Sequence, residues 1–315
     1  MLFRSLGSVA VARTLEPLSP VGFGVATVAE GEELRTAGIR GRVLVFSPLS
    51  AADLALARAA RLIPTLGSAA AIADWVAQGG GEWHLAIDTG MHRAGVRWDD
   101  IGALAEHLRA HPPAGAFTHF HSSELEDGSV ERQEQRFRDA LDQLPARPAL
   151  LHADNSAAIV RRSPSLWDAV RPGVFLYGVG SGHEVAPEPV AHVRGRVVEL
   201  RTVLPGETVG YDATWVAQRR STIATVPIGY ADGYRRSLGN VGRGAVNGHA
   251  VRVVGTVTMD MTMLDVTDAP CAVGDVVTLL GRDGAQLITA EQVGAACGLS
   301  PYEILTGLRQ RMPRI

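Results

Sequence analysis

Lysine is absent from all 315 residues, so the 30 Lys-plus-Arg positions are all arginine. Codon preference accounts for much of such a bias, but the chemical consequence is the same whatever its origin. A step that needs a side-chain amine cannot be carried by this chain's own side chains. Cysteine is nearly absent too. Cys271 and Cys297 cannot build a disulfide framework, and neither has metal-ligand spacing to histidines, which points to a reducing, cytoplasmic setting. No apolar run is long enough for a membrane helix, and the apolar part of Met1–Ser8 is too short for a signal peptide. A net charge of −3 with scattered arginines excludes a basic track for nucleic acid. Glycine (35) and proline (17) show no period, which excludes fibrous and low-complexity classes. The remainder, with 46% hydrophobic and 20% charged residues, describes globular protein of one large or two ordinary domains. A small molecule is the expected partner.

Two halves differ in their period. Over residues 1–186, β-prone runs (Val21–Thr27, Val43–Phe46, Leu62–Thr65, Trp83–Asp88, Ala116–His119, Ala149–Ala153, Val174–Tyr177) alternate with helical patterns (Glu30–Gly38, Ala51–Ala60, Ser68–Gln78, Asp100–His111, Glu131–Leu144, Ser156–Arg162). Such alternation predicts parallel strands with right-handed crossovers. Seven strands are one short of a TIM-like (β/α)8 barrel, and Ser8–Glu16 reads as the helix that would follow a missing first strand. Residues 187–315 read instead as a mostly antiparallel β domain. Its expected strands are Arg194–Thr202, Thr222–Pro227, Ala250–Thr256, Met261–Val266 and Asp275–Leu280, with a helix at Ala290–Gly298.

Reactive groups in a parallel barrel gather at the C-terminal ends of its strands. Four clusters lie there: Asp88–Arg93, Thr118–His121, His152–Ser156 and Arg171–Val174. Each alone could be a satisfied core histidine or a solvated arginine, but four at one topological end argue for a site. Asn155-Ser156 opens a helix, and Gly173-Val174 comes one loop later. Hydroxyl and N–H donors could converge there on a phosphate, although serine is also an ordinary helix cap. The second half adds Gly210–Trp215, Gly229–Tyr234 and Met259-Asp260, which by themselves read as turns with packed aromatics.

Taken in order, these motifs resemble the fold-type III alanine racemases, a family of pyridoxal-phosphate enzymes. The resemblance runs through Gly22–Thr27, Asp88–Gly95, Thr118–Phe120, His152 with Asn155-Ser156, Arg171–Gly173 with Leu176–Gly178, Val209–Tyr211, Ile228–Gly233, Met259-Asp260 and Arg311–Arg314. It implies interconversion of L- and D-alanine by a homodimer with shared active sites. Arg171 would bond the cofactor's pyridine nitrogen and, as a donor that keeps its proton, hold that ring neutral. His119 would lie against the ring, His152 would support Arg171, and Asn155, Ser156, Gly173 and Val174 would hold the phosphate. Tyr211 would be one of two opposed acid/base groups, tuned through Arg93, which would also meet the substrate carboxylate. The Met259 backbone would bind that carboxylate, and Tyr230 with Asp260 would form the entry gate. In the family, Tyr211, Met259 and the gate come from the partner subunit. No metal is implied.

Racemisation needs a proton-transfer group on each face of the α-carbon. In the family the second is the lysine that also forms the Schiff base, in a motif ending the first strand. Gly7 and Val9–Arg13 match the segment directly C-terminal to that motif, which places the lysine just before Met1, so the expectation is an N-terminally truncated member. Met1–Leu6 does not match the motif. Ala86 stands where many members carry a lysine propping the arginine matched by Arg93, and Gln310 stands where some carry a phosphate-contacting tyrosine. Two other readings stay open: a non-catalytic homologue that binds pyridoxal phosphate or only dimerises, and a racemase of broader specificity that also takes serine.

Overall fold

The computed structural model describes residues 7–162, 164–180, 185–309 and 311–314; Met1–Leu6 and Gln310 lie outside these. Two compact units are present, one running through Phe175 and the other taking Leu176–Gly180 and everything from Ala186 onward. Among the described residues no helix is long and apolar enough to cross a membrane.

The first unit is a parallel α/β barrel with one open seam. Its strands are β1 (Phe23–Val25), β2 (Val43–Val45), β3 (Ile63–Leu66), β4 (His84–Asp88), the short side strand β5 (Val96–Arg97), β6 (Gly115–Phe117), β7 (Leu150–Asn155) and β8 (Ala169–Arg171). They pair in the order β1-β2-β3-β4-β6-β7-β8, with β5 on β4 and, among the described residues, no pairing between β1 and β8. Helices α1 (Ser8–Leu15), α2 (Val28–Thr36), α3 (Ala51–Ala59), α4 (Ala69–Ala77), α5 (Ala105–Ala110), α6 (Ser129–Asp142) and α7 (Ser156–Arg161) alternate with the strands. Side-chain oxygens start several of them: Thr27 and Glu30 form a reciprocal cap on α2, Ser50 and Asp53 on α3, and Ser68 caps α4. Outward strand residues such as Leu85, Ile87, Leu151 and Ala153 pack with Ile72, Trp75 and Phe137 from the helices. Burial of each large side chain there contributes about 1.5–3 kcal/mol. Alternation along the strands therefore turns His84, Ala86, Asp88 and His152 to the other face.

One expected strand is corrected. Val174–Tyr177 is a 3-10 turn, and the strand lies just before it at Ala169–Arg171. A short apolar run does not distinguish strand from helix by period, and Pro172, which has no N–H to give a ladder, ends the strand early.

The second unit is antiparallel. Its strands are β9 (Val193–Arg196), β10 (Glu199–Val203), β11 (Thr208–Val209), β12 (Trp215–Val216), β13 (Ser221–Val226), β14 (Arg243–Val246), β15 (His249–Val253), β16 (Thr262–Asp265), β17 (Val276–Asp283) and β18 (Gln286–Ile288). The main sheet runs β10-β13-β16-β15-β14-β17-β18, with β9 on β17, while β11 and β12 pair separately. The single strand expected at 194–202 is two, because β9 and β10 pair with different neighbours. Helices α8 (Ala290–Cys297) and α9 (Pro301–Gly307) come after the sheet, the second unforeseen in the sequence.

Candidate active site

Three of the four barrel clusters meet around Arg171, which ends β8. Its Nη1 donates to the His152 carbonyl and lies 2.9 Å from His152 Nδ1. Its Nη2 donates to the carbonyls of Thr118 (2.7 Å) and Ala153 (2.9 Å) and lies 3.3 Å from His119 Nδ1. Nε has no partner among the described residues. Burial lowers the guanidinium pKa to about 10, so it stays charged at neutral pH. Burial, and then the Arg171 charge, push His119 down to about 3 and His152 well below the ordinary imidazole value. Both rings are therefore neutral and can accept a hydrogen bond from the cation. Phe117 stacks on His152 with ring centroids 5.1 Å apart, and Phe46 meets Phe117 edge-on at 5.2 Å. The Arg171 cation lies over both phenyl rings.

Next to this, the loops after β7 and β8 converge on one hydroxyl. Ser156 Oγ accepts from Gly173 N at 2.8 Å and from Phe175 N at 3.4 Å. Val174 is buried beside it. Asn155 is used locally: its Oδ1 caps α7 through Ala158 N (3.1 Å), and its Nδ2 reaches the Phe120 carbonyl at 3.4 Å. The amide therefore shapes the loop and does not project from it.

Arg93 lies in the loop after β4, exposed and without a hydrogen bond among the described residues. That loop is nevertheless firmly held. Asp88 Oδ1 accepts from Gly90 N (2.9 Å) and His92 N (3.1 Å). Thr89 bonds Thr118 at 2.7 Å, and Gln133 and Arg136 of α6 bond the Thr89 hydroxyl and carbonyl at 3.1 and 2.9 Å. Ala86 stays buried in β4. Gln133 and Arg136 were not legible as site residues, because on α6 they read as an ordinary polar helix face.

The remaining candidates belong to the second unit, where three loops are tied together. The Tyr211 carbonyl accepts from Thr256 Oγ1 (3.2 Å), Tyr230 N donates to Thr258 O (3.0 Å), and Ala231 N donates to Met259 O (2.9 Å). A Cβ on Gly229 would stand 2.4 Å from the Thr258 and Met259 carbonyls, so only glycine permits this approach. Met259 N has no partner among the described residues. Asp212 and Ala213, directly after Tyr211, hold left-handed φ of 61° and 48°, a local strain of the kind that clusters at functional sites. Arg311 binds Asp260 (2.8 Å) and Asp232 (3.1 Å), joining the expected gate residues to the C-terminal segment. Tyr211 is 68% exposed, Met259 53% and Tyr230 38%, unlike the half-buried Arg171 and the buried His152.

Comparison with known proteins places these units. Residues 3–181 match the family model described as alanine racemase, N-terminal domain, and residues 190–315 match that for the C-terminal domain. An alanine racemase of Sorangium cellulosum (strain So ce56) is 39% identical over 334 residues, covering 98% of this chain and 87% of the relative. The crystal structure of alanine racemase from E. faecalis superposes with a TM-score of 0.91 at 31% identity, over 98% of this chain and 87% of that one. Alanine racemase from Bacillus anthracis with bound L-Ala-P gives a TM-score of 0.88 at 30% identity, over 98% of this chain and 84% of that one. The chain belongs to the alanine racemase family.

Proposed function

We propose that this chain binds pyridoxal 5'-phosphate at the C-terminal mouth of its barrel and is built for the racemisation of alanine, an isomerase reaction, as a cytosolic homodimer. The observation that carries the reading is Arg171. Both of its Nη atoms are engaged by three carbonyls and two neutral imidazoles, and Nε is left for one further acceptor. A pyridine nitrogen is such an acceptor, and a guanidinium would hold it without protonating it. The Ser156 hydroxyl, whose oxygen accepts from Gly173 N, still has its own O–H to give and, with the neighbouring Val174 N–H, suits a phosphate. The chain thus fits the ring and phosphate ends of the group, whereas its lack of lysine leaves covalent attachment without a residue.

Bound there, the cofactor would supply a sink for the electron pair left when a proton leaves the substrate's α-carbon. The chain's own groups do the rest. Neutral His119 would lie against the ring without adding charge. Arg93 and the Met259 N–H orient the substrate carboxylate, and the Tyr211 phenol moves the proton on one face of Cα. The Tyr230–Asp260 gate, braced by Arg311, controls entry. Exposure of Tyr211, Tyr230, Met259 and Met261 (44%) supports their use across a subunit interface. L-Ala-P in the Bacillus anthracis structure supports alanine as substrate.

The decisive experiment uses two proteins. This chain should bind the cofactor reversibly, with no borohydride-fixed adduct on any internal side chain. The same chain extended by an N-terminal strand ending in lysine should racemise alanine. Inactivity of the extended, cofactor-bound protein would favour the second reading, a non-catalytic binder. Comparing alanine with serine on the active form separates the narrow racemase from the broad one.

A further inference from the structure

Polar contacts do not stop at His152. His152 Nε2 lies 2.8 Å from His84 Nδ1, inside the barrel and across from the Arg171 side. His84 is 1% exposed, and no hydrogen bond reaches its Nε2. Glu82 Oε1, at the N-terminal end of β4, lies 4.0 Å from that Nε2 and pairs with Arg42 Nε at 3.3 Å. TIM-barrel interiors are ordinarily filled by branched aliphatic side chains. Here an imidazole pair takes that place. Gly115, beside β4 on β6, makes the room: a Cβ there would stand 2.5 Å from His84 Cε1 and 2.6 Å from Nδ1.

Donor and acceptor chemistry sets the proton positions. A guanidinium has no acceptor, so His152 Nδ1 must receive the Arg171 N–H. A neutral imidazole carries one proton, which leaves it on His152 Nε2. That N–H then needs an acceptor, and His84 Nδ1 is the group within reach. Burial, with the Arg42 and Arg171 charges, lowers the His84 pKa to about 4, so it is neutral and can accept. Its own proton falls on Nε2, facing Glu82. Both links point one way, from Arg171 to His152 and from His152 to His84.

We propose that His84 is a positioning residue: by accepting from His152 Nε2 it locks the tautomer that lets His152 Nδ1 receive the Arg171 guanidinium and fix its orientation. Without that acceptor, His152 can turn its proton to Nδ1 and confront a cation with an N–H. The order of hydrogen bonds stands on geometry, whereas its consequence for the cofactor's ring nitrogen rests on the function proposed above.

The test combines imidazole 15N spectra with pyridoxal phosphate titration of the whole chain. At pH 7, His84 and His152 should both show Nε2-protonated, Nδ1-accepting signatures. His84→Leu should shift His152 away from that signature and weaken pyridoxal phosphate binding roughly tenfold, the loss of one buried hydrogen bond. His84→Asn, whose carbonyl can take the place of Nδ1, should restore both to within about twofold. Gly115→Ala displaces the ring while keeping it, and should mimic His84→Leu if that variant does not fold. An Nδ1-protonated His152 in the unaltered chain, or a His152 signature indifferent to His84→Leu and Gly115→Ala, would overturn the proposal. Failure of the unaltered chain to bind pyridoxal phosphate would instead overturn the cofactor reading. The tautomer spectra alone then decide the role of His84.

Discussion

The two units present their candidate groups in opposite ways. In the barrel, Arg171, His119 and His152 are held by carbonyls and by one another, and burial has set the histidines neutral. In the β unit, Tyr211, Tyr230 and Met259 are exposed on loops whose backbones are tied together while their side chains project freely. The barrel thus orders its candidate groups by its own folding. The β unit displays groups that need something laid against them. The difference teaches that one fold can set side chains by burial in one unit and by display on loops in another; on the proposed function the first would bind and the second would move the proton.

Four changes would break or sharpen this contrast. The largest effect is expected from Tyr211→Phe in the lysine-extended chain. Racemisation should fall by about 10²–10⁴, the usual contribution of a positioned acid/base group, while cofactor affinity is unchanged. Initial rates by polarimetry, beside a cofactor titration, check this; parallel losses in both would mean that the β unit also builds the binding half. Next comes Arg171→Met. It leaves the carbonyls of Thr118, His152 and Ala153 without their charged donor, and should cost about 3 kcal/mol of stability along with cofactor binding, read by urea unfolding. A neutral outcome would mean that the barrel groups are no more integral to folding than the exposed ones.

Smaller is Gly229→Ala, which forces a Cβ against the Thr258 and Met259 carbonyls. Destabilisation of about 2 kcal/mol is expected by calorimetry, with racemisation in the extended chain lost in step as the Tyr230 and Met259 loops part. The most graded effect, small over any one pH unit, is pH. The folded pKa values of His84 and His119, about 4 and about 3, lie below the unfolded imidazole value, so the unfolded chain binds more protons in acid. Stability is therefore fully present above about pH 6.5 and is lost as pH falls from there towards 4, by at most about 1.4 kcal/mol per pH unit for buried His84. Urea midpoints across that range test it, and His84→Asn should make the decline shallower.

Much of this was legible in the residues. The strand-helix alternation showed the barrel because helical and strand periods differ, and the order of motifs showed the family. Ser156 with Gly173 was also visible, since a hydroxyl at a helix start and a glycine one loop later share a topological end. His84 was not. In Trp83–Asp88 it reads as one polar residue in an apolar run, and its meaning depends on His152, 68 residues away, on another strand. Its alternation with Leu85 and Ile87 was the available signal. Arg311 sat in a recognised motif, but its bonds to Asp232 and Asp260 come from chain return, which no local pattern encodes.

By itself, then, the sequence determined the class of fold, the family, and one chemical exclusion, the absence of any lysine amine. These depend on composition, period and order, which are local properties. Only the tertiary structure decided that Arg171, His152 and His84 stand within hydrogen-bond reach of one another, which histidines are neutral, and which tyrosines are displayed. Those depend on burial and on distances between residues far apart in the chain, and both exist only once the barrel strands have gathered around their imidazoles and the β loops have been drawn together.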